Sequence, residues 1–412
     1  MSRVPVRTAL AACAALLLGA ASQAQTTRLT ITQDGAGTLF VGNGAPGDKQ
    51  VKIEVGPLPG QVRVIDGAAP GPQAYSGIRA IRVATGAGTD QIELDMNASQ
   101  SLALSIDSGA GDAHMKLQWK VPPGAASTTS SLDMASGGGR LNIELDHASE
   151  TAEASFQWTT RFGGGDKLIK GAVEFKEGVR QARQNIAFTQ LGGGNHLVAM
   201  EVESKAADAT LLLNTGAAQE VLYKVISPDR STRLVADTTV AGAKNNIEIL
   251  SAAPTTSVRL AGGTANTPLA ETSIGVVQTV PGTLGAQLDF TTRSTASKFG
   301  AKFDGAFSTL TLGGRLLGAG GRDEFKLETN ARALASLLVD AGSGDNAVDF
   351  LASAALLATP TPLRLVTGGG NDLISLQAGP GSTAVPQLNC GAGTDIAKAS
   401  VGTATGCEQF GL

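Results

Sequence analysis

Four polar side chains near the C-terminal end carry oxygen atoms at recurrent places: Asp345, Asn371, Asp372 and Asp395. Each stands in or just after a glycine-rich turn. The turns are Gly342-Ser343-Gly344-Asp345-Asn346, Gly368-Gly369-Gly370-Asn371-Asp372 and Gly391-Ala392-Gly393-Thr394-Asp395. Asp and Asn favour turns, since their side chains hydrogen-bond nearby backbone. On that reading the turns are held by hydrogen bonds alone. Apart from Cys13 near the start, redox chemistry is confined to Cys390 and Cys407, 17 residues apart near the end, and they read as one disulfide in an exported chain. The alternative is two free thiols.

Other chemistries find little footing. The histidines are His114, His147 and His196. Two fall in or beside glycine turns and His147 follows a strand, so each reads as a solvated turn residue. There is no Gly-x-Ser-x-Gly elbow for a hydrolase and no His-Glu-x-x-His run for a zinc peptidase. The Gly-x-Gly turns lack the Lys-Ser/Thr of a phosphate loop. Paired acids such as Asp323-Glu324, or Asp289 with Asp304, read as surface charge. Trp119, Trp158, Tyr75 and Tyr223 are the only Trp and Tyr, a thin supply for a sugar-stacking platform. The formal charge of −4 comes with no basic stripe, which argues against nucleic acid as a partner.

The elements that must position these turns repeat along the chain. Taking Asp90 of Thr85-Gly86-Ala87-Gly88-Thr89-Asp90 as the marker, equivalent positions fall at 90, 113, 141, 167, 196, 220 and 246, then 323, 346, 372 and 395. The steps lie near 25 residues, and the one long gap equals about three further steps, with Gly262-Gly263 as a decayed turn. Between turns apolar and polar residues alternate, as in Leu102-Ala103-Leu104-Ser105-Ile106-Asp107 and Leu141-Asn142-Ile143-Glu144-Leu145-Asp146. Such runs place one strand face inward and one in water. The 53 glycines and the 4% aromatic content fit thin stacked layers better than a compact core. These features predict an all-β fold, a parallel β-solenoid (β-helix) with coils of about 25 residues. Ala331 to Leu338 and Ala352 to Leu357 are compatible with short helices, strands or loops.

At the turns the chain resembles the hemolysin-type (RTX-like) calcium-binding repeat family, whose nonapeptide is Gly-Gly-x-Gly-x-Asp-x-apolar-x. Thr367-Gly368-Gly369-Gly370-Asn371-Asp372-Leu373-Ile374-Ser375 misses only the first glycine. The resemblance implies calcium as a cofactor, held by turn carbonyls and by Asp345, Asn371, Asp372 and Asp395. It covers short turns spread along the chain, one per coil instead of two in tandem. The Asp position holds Ala113, Leu141, Lys167, His196 and Glu220 in the middle coils, and Lys167 there opposes a bound cation.

The ends complete the organisation. Residues 1–24 read as a secretory leader, with Arg3 and Arg7 before an apolar run from Ala9 to Ala21 and small residues at Ser22 and Ala24. A competing reading makes Leu10-Ala11-Ala12-Cys13 a lipoprotein box, anchoring the chain through Cys13. Residues 26–84 read as an N-terminal β cap with the first coils, 85–389 as the solenoid array and 390–412 as a disulfide-closed coil. No later segment is apolar enough to span a bilayer. The expected protein is exported, to the periplasm, the medium or the cell surface, and non-enzymatic. Its expected role is structural or adhesive, with an extracellular ligand or cell-surface polysaccharide as partner. The alternative is a polysaccharide-active lyase or glycosidase on the same scaffold.

Overall fold

The computed structural model describes residues 28–411, apart from 43–45, 57, 59, 98–99, 125, 217, 229–230, 241–242, 264–268, 293–295, 307–308 and 319. The leader read at 1–24, with Cys13, lies outside the described residues. All described regular elements are strands, and they form a β-solenoid of about 12 turns with coils of about 26 residues. No helix among the described residues is long and apolar enough to cross a membrane.

Each coil gives one strand to each of two parallel sheets. In the first sheet Ala80–Ala84 pairs with Leu102–Asp107, which pairs with Ser127–Ser136 and then Glu153–Phe162. In the second, Asp90–Asn97 pairs with Ala113–Val121, then Leu141–Ser149, Lys167–Phe175 and His196–Ser204. Later strands of this sheet begin at Glu220, Lys244, Glu271, Ala296, Arg322, Ala347, Leu373 and Ile396. The long gap in the turn series is thus filled by ordinary coils, and Gly263 sits at a corner there with φ +82°. The first coil is flanked by antiparallel pairs. Ile31–Gln33 lies against Thr38–Gly42, Lys49–Val55 against Gln61–Asp66, and the latter against Gln73–Ser76.

Why these segments are strands follows from the alternation. Along Asp90–Asn97 every second side chain is buried, placing Ile92, Leu94 and Met96 inside while Glu93 and Asp95 face water. Ala333–Asp340 obeys the same rule with Ala333, Ala335, Leu337 and Val339 inward, so this stretch is strand and not helix; Leu356–Leu357 is a short strand too. Period-two burial decides the state where the propensity of Ala and Leu would favour helix. The inward rows form one continuous core. The scarce aromatic residues belong to it: Trp119, Trp158, Tyr223 and most phenylalanines are buried, and Trp158 meets Phe188 edge-on at 5.4 Å.

The corners between a first-sheet strand and the next second-sheet strand stack into a column. A Cβ on Gly111 would lie 1.7 Å from the Gly88 carbonyl oxygen of the coil before, and one on Gly344 would lie 1.7 Å from that of Gly321. Backbone packs on backbone here, and only hydrogen fits between the layers. Cys390 and Cys407 form a disulfide across the last two corners, with Cα atoms 5.2 Å apart. By loop-closure entropy such a bridge stabilises the fold by about 3 kcal/mol.

Candidate functional site

The glycine corner holds the polar residues singled out in the sequence and sorts them into two ladders. The outer ladder uses exposed side chains. Asp345 accepts a hydrogen bond from the Asn371 N–H (2.8 Å), and Asn371 from the Thr394 N–H (3.1 Å). Asp48, Asp112 and Asp166 do the same for Thr89, Arg140 and Asn195. The inner ladder is buried and runs in the opposite sense. The N–H of Asp323 donates to Asn346 (3.0 Å), that of Asn346 to Asp372 (2.7 Å), that of Asp372 to Asp395 (2.8 Å), and that of Asp395 to Glu408 (2.5 Å). Lys49 and Asp90 are joined likewise at 3.1 Å. Asp372 and Asp395 therefore share the interior, while Asp345 and Asn371 stand outside it.

What occupies the inside of each corner depends on the side chain there. The Asn346 amide donates to the carbonyls of Gly342 (3.1 Å) and Gly344 (2.8 Å), four and two residues earlier. The Lys167 ammonium donates to Gly164 (2.8 Å) and, in the preceding turn, to Gly139 (2.5 Å) and Gly137 (3.4 Å). His196 meets the Gly192 carbonyl at 2.5 Å, and the Lys49 ammonium that of Gly47 at 2.8 Å. Carbonyls at these places thus point inward and take donors. An ionised carboxylate has none to give. One oxygen of each caps a neighbouring coil; the second oxygens of Asp372 and Asp395 are buried without a hydrogen-bond donor, whereas Asp90 has the Thr85 hydroxyl beside it. The Thr367 hydroxyl beside Asp372 gives its hydrogen to the Cys390 carbonyl instead (2.8 Å). Burial pushes the Asp372 carboxyl up, and the charge of Asp395 pushes the same way. For Asp90, burial raises it while the Thr85 hydroxyl and the Lys49 ammonium pull it down.

The donor set suits a hard cation: carboxylate oxygens of Asp372 and Asp395, with the main-chain carbonyls of Gly368, Gly370, Gly391 and Gly393 at the places that take donors in other coils. Among the described residues no three His, Cys, Asp or Glu side chains gather into a metal-holding group, so carbonyls would have to supply most ligands.

Several sequence readings need correction. His196 and His147 are not solvated turn residues: they are 3% and 1% exposed. His147 lies within its strand and stacks on Phe156 with ring centroids 4.3 Å apart, its other side against the edge of Trp119. Burial holds its pKa down to about 3. Lys167 does not merely oppose a cation; it is one, seated on carbonyls, with burial lowering its pKa while Asp112 and Asp166 pull it back up. Glu220 is off the corner row, because Leu197 is its partner in register, and it is exposed. Asp323 is buried in the inner ladder and not surface charge, whereas Glu324 is exposed. Asp289 and Asp304 lie on different sheets and form no pair.

A second feature was not legible beforehand. On the outer face of the second sheet a groove of about 430 Å³ crosses several coils. Its floor includes Ala172, Ala199 and Leu222; its walls include Lys170, Glu201 and Lys224. Glu201 and Lys224 pair at 3.3 Å. The groove exists because register sets Lys170 beside Ala199 and Ala172 beside Glu201, so short side chains are ringed by long ones. No family model, curated protein or solved structure matches the chain.

Proposed function

We propose that the protein is an exported, non-enzymatic solenoid with a structural or adhesive role outside the inner membrane, and that calcium stabilises its last coils. The observation that carries the calcium reading is the pair of buried oxygens on Asp372 and Asp395 that receive no donor, in a corner whose carbonyls take cations or N–H groups elsewhere. A divalent ion answers both needs at once. The long rigid array with a core running its whole length suits a spacer or display element. The disulfide agrees with an oxidising compartment.

Thermal melting with calcium and with a chelator tests this. The midpoint is expected to rise with calcium, by the equivalent of about 2.7 kcal/mol at a hundredfold excess over Kd. Asp372→Ala and Asp395→Ala are expected to abolish the rise, while Asp345→Ala, which alters the outer ladder, retains it. An identical midpoint in calcium and chelator ends the reading.

The groove favours a second reading, in which the outer face binds a cell-surface polysaccharide. Retention on immobilised uronic-acid polymer should fall sharply for Lys170→Glu and Lys224→Glu, with the polymer recovered at its original length. Release of unsaturated fragments would instead identify a lyase, and equal retention of wild type and both variants would clear the groove of any role.

A further inference from the structure

We infer that Lys167 and Lys49 are tethered cations, each ammonium filling a corner position equivalent to the one a divalent ion takes beside Asp372 and Asp395. This rests on the calcium reading for the C-terminal coils, but its lysine half stands on separate observations. Lys167 is held by Gly164 of its own turn and by the carbonyls of Gly137 and Gly139, which lie four and two residues before the strand that begins at Leu141. Asn346 uses the carbonyls at those same two places in its own turn, and His196 uses the one four back. The corner is therefore one recurrent pocket with three kinds of filling: an ammonium, a neutral N–H donor, or nothing donated by a carboxylate.

Charge follows the filling. Lys167 has Asp112 and Asp166 for neighbours, and Lys49 adjoins Asp90, so the acidic corners of the N-terminal half have their countercharge within the chain. Between Gly342 and Leu412 the sequence has five carboxylate side chains but only Arg364 and Lys398 as bases. Arg364 opens a first-sheet strand and Lys398 faces outward on a second-sheet strand, so neither occupies a corner. Coils with lysine bring their cation along the backbone; the coils of Asp372 and Asp395 must recruit one from solution.

A series at Lys167 in the full chain, read by hydrogen exchange at residues 141–149, 167–175 and 196–204, separates these claims. Lys167→Met keeps the stem and removes the charge. It should lower protection about tenfold or more whether or not calcium is present, the weight of at least one buried charge-assisted hydrogen bond. Lys167→Asn, which copies Asn346, should keep most of the protection. Lys167→Asp should lose protection in chelator and regain it in calcium. At the other end, Asp372→Lys should remove the calcium response of residues 347–352 and 373–377 and hold them protected in chelator, where Asp372→Ala does not. Wild-type protection at Lys167→Met overturns the tethered cation. If Lys167→Met behaves as expected but wild type shows no calcium response at 373–377, the calcium reading fails and the lysine assignment survives. If wild type responds there but Lys167→Asp gains no response, the equivalence of the two pockets is wrong.

Discussion

Gly344→Ala is expected to destroy the cooperative unfolding of the C-terminal coils, whereas Gly193→Ala leaves it unchanged. Both glycines occupy corner turns of the same type. At Gly344 the backbone has φ +108° and an added Cβ would lie 1.7 Å from the Gly321 carbonyl oxygen. That neighbour is main chain, so the clash cannot be relieved by a side-chain rotation. Overpacking costs about 1–3 kcal/mol and a non-glycine residue in left-handed backbone about 1–3 kcal/mol more, so the expected loss is about 2–6 kcal/mol. At Gly193 nothing lies within 4 Å of the same hypothetical carbon. Denaturant titration followed by circular dichroism reads both variants. Equal midpoints for wild type and Gly344→Ala would mean that the corners do not stack backbone on backbone.

His147 is expected to make the array acid-sensitive. Its imidazole is enclosed between Phe156 and Trp119, and burial depresses its folded pKa from 6.5 to about 3. The unfolded chain thus binds a proton below pH 6.5 that the folded chain refuses until pH 3. Stability from this group is complete above the unfolded pKa and is lost as pH falls, by about 1.4 kcal/mol per pH unit across that window. At pH 5 the deficit is about 2 kcal/mol. His147→Phe should remove this slope. Subtracting the variant's stability-against-pH curve from that of wild type isolates it from the carboxylates, and parallel curves between pH 6.5 and 4 would refute the assignment.

The sequence announced the architecture because a coil must close on itself. A glycine corner about every 25 residues and strict alternation between corners leave few other folds. It was less informative about the corner's interior. Lys167, His196 and Asp323 look in sequence like polar turn residues, and only the stacking of coils shows that this corner position points inward. One residue of slip decides the matter: Glu220, aligned with Leu197 and not His196, ends up in water. The buried His147 could not be told from a surface residue either, since its inward register depends on the parity of the strand that starts at Leu141. The groove had no local signal at all. Ala172 and Ala199 lie 27 residues apart in sequence and become a floor only when neighbouring coils are set in register. The disulfide, by contrast, needed only the count and place of two cysteines.

The two corner ladders grip in opposite directions. In the C-terminal coils, on the inside, the corner amide is held by the side chain that comes after it; on the outside, by the one that came before. Where both ladders run side by side, separating two neighbouring layers must break bonds from both faces of the seam, so neither face can come apart while the other holds.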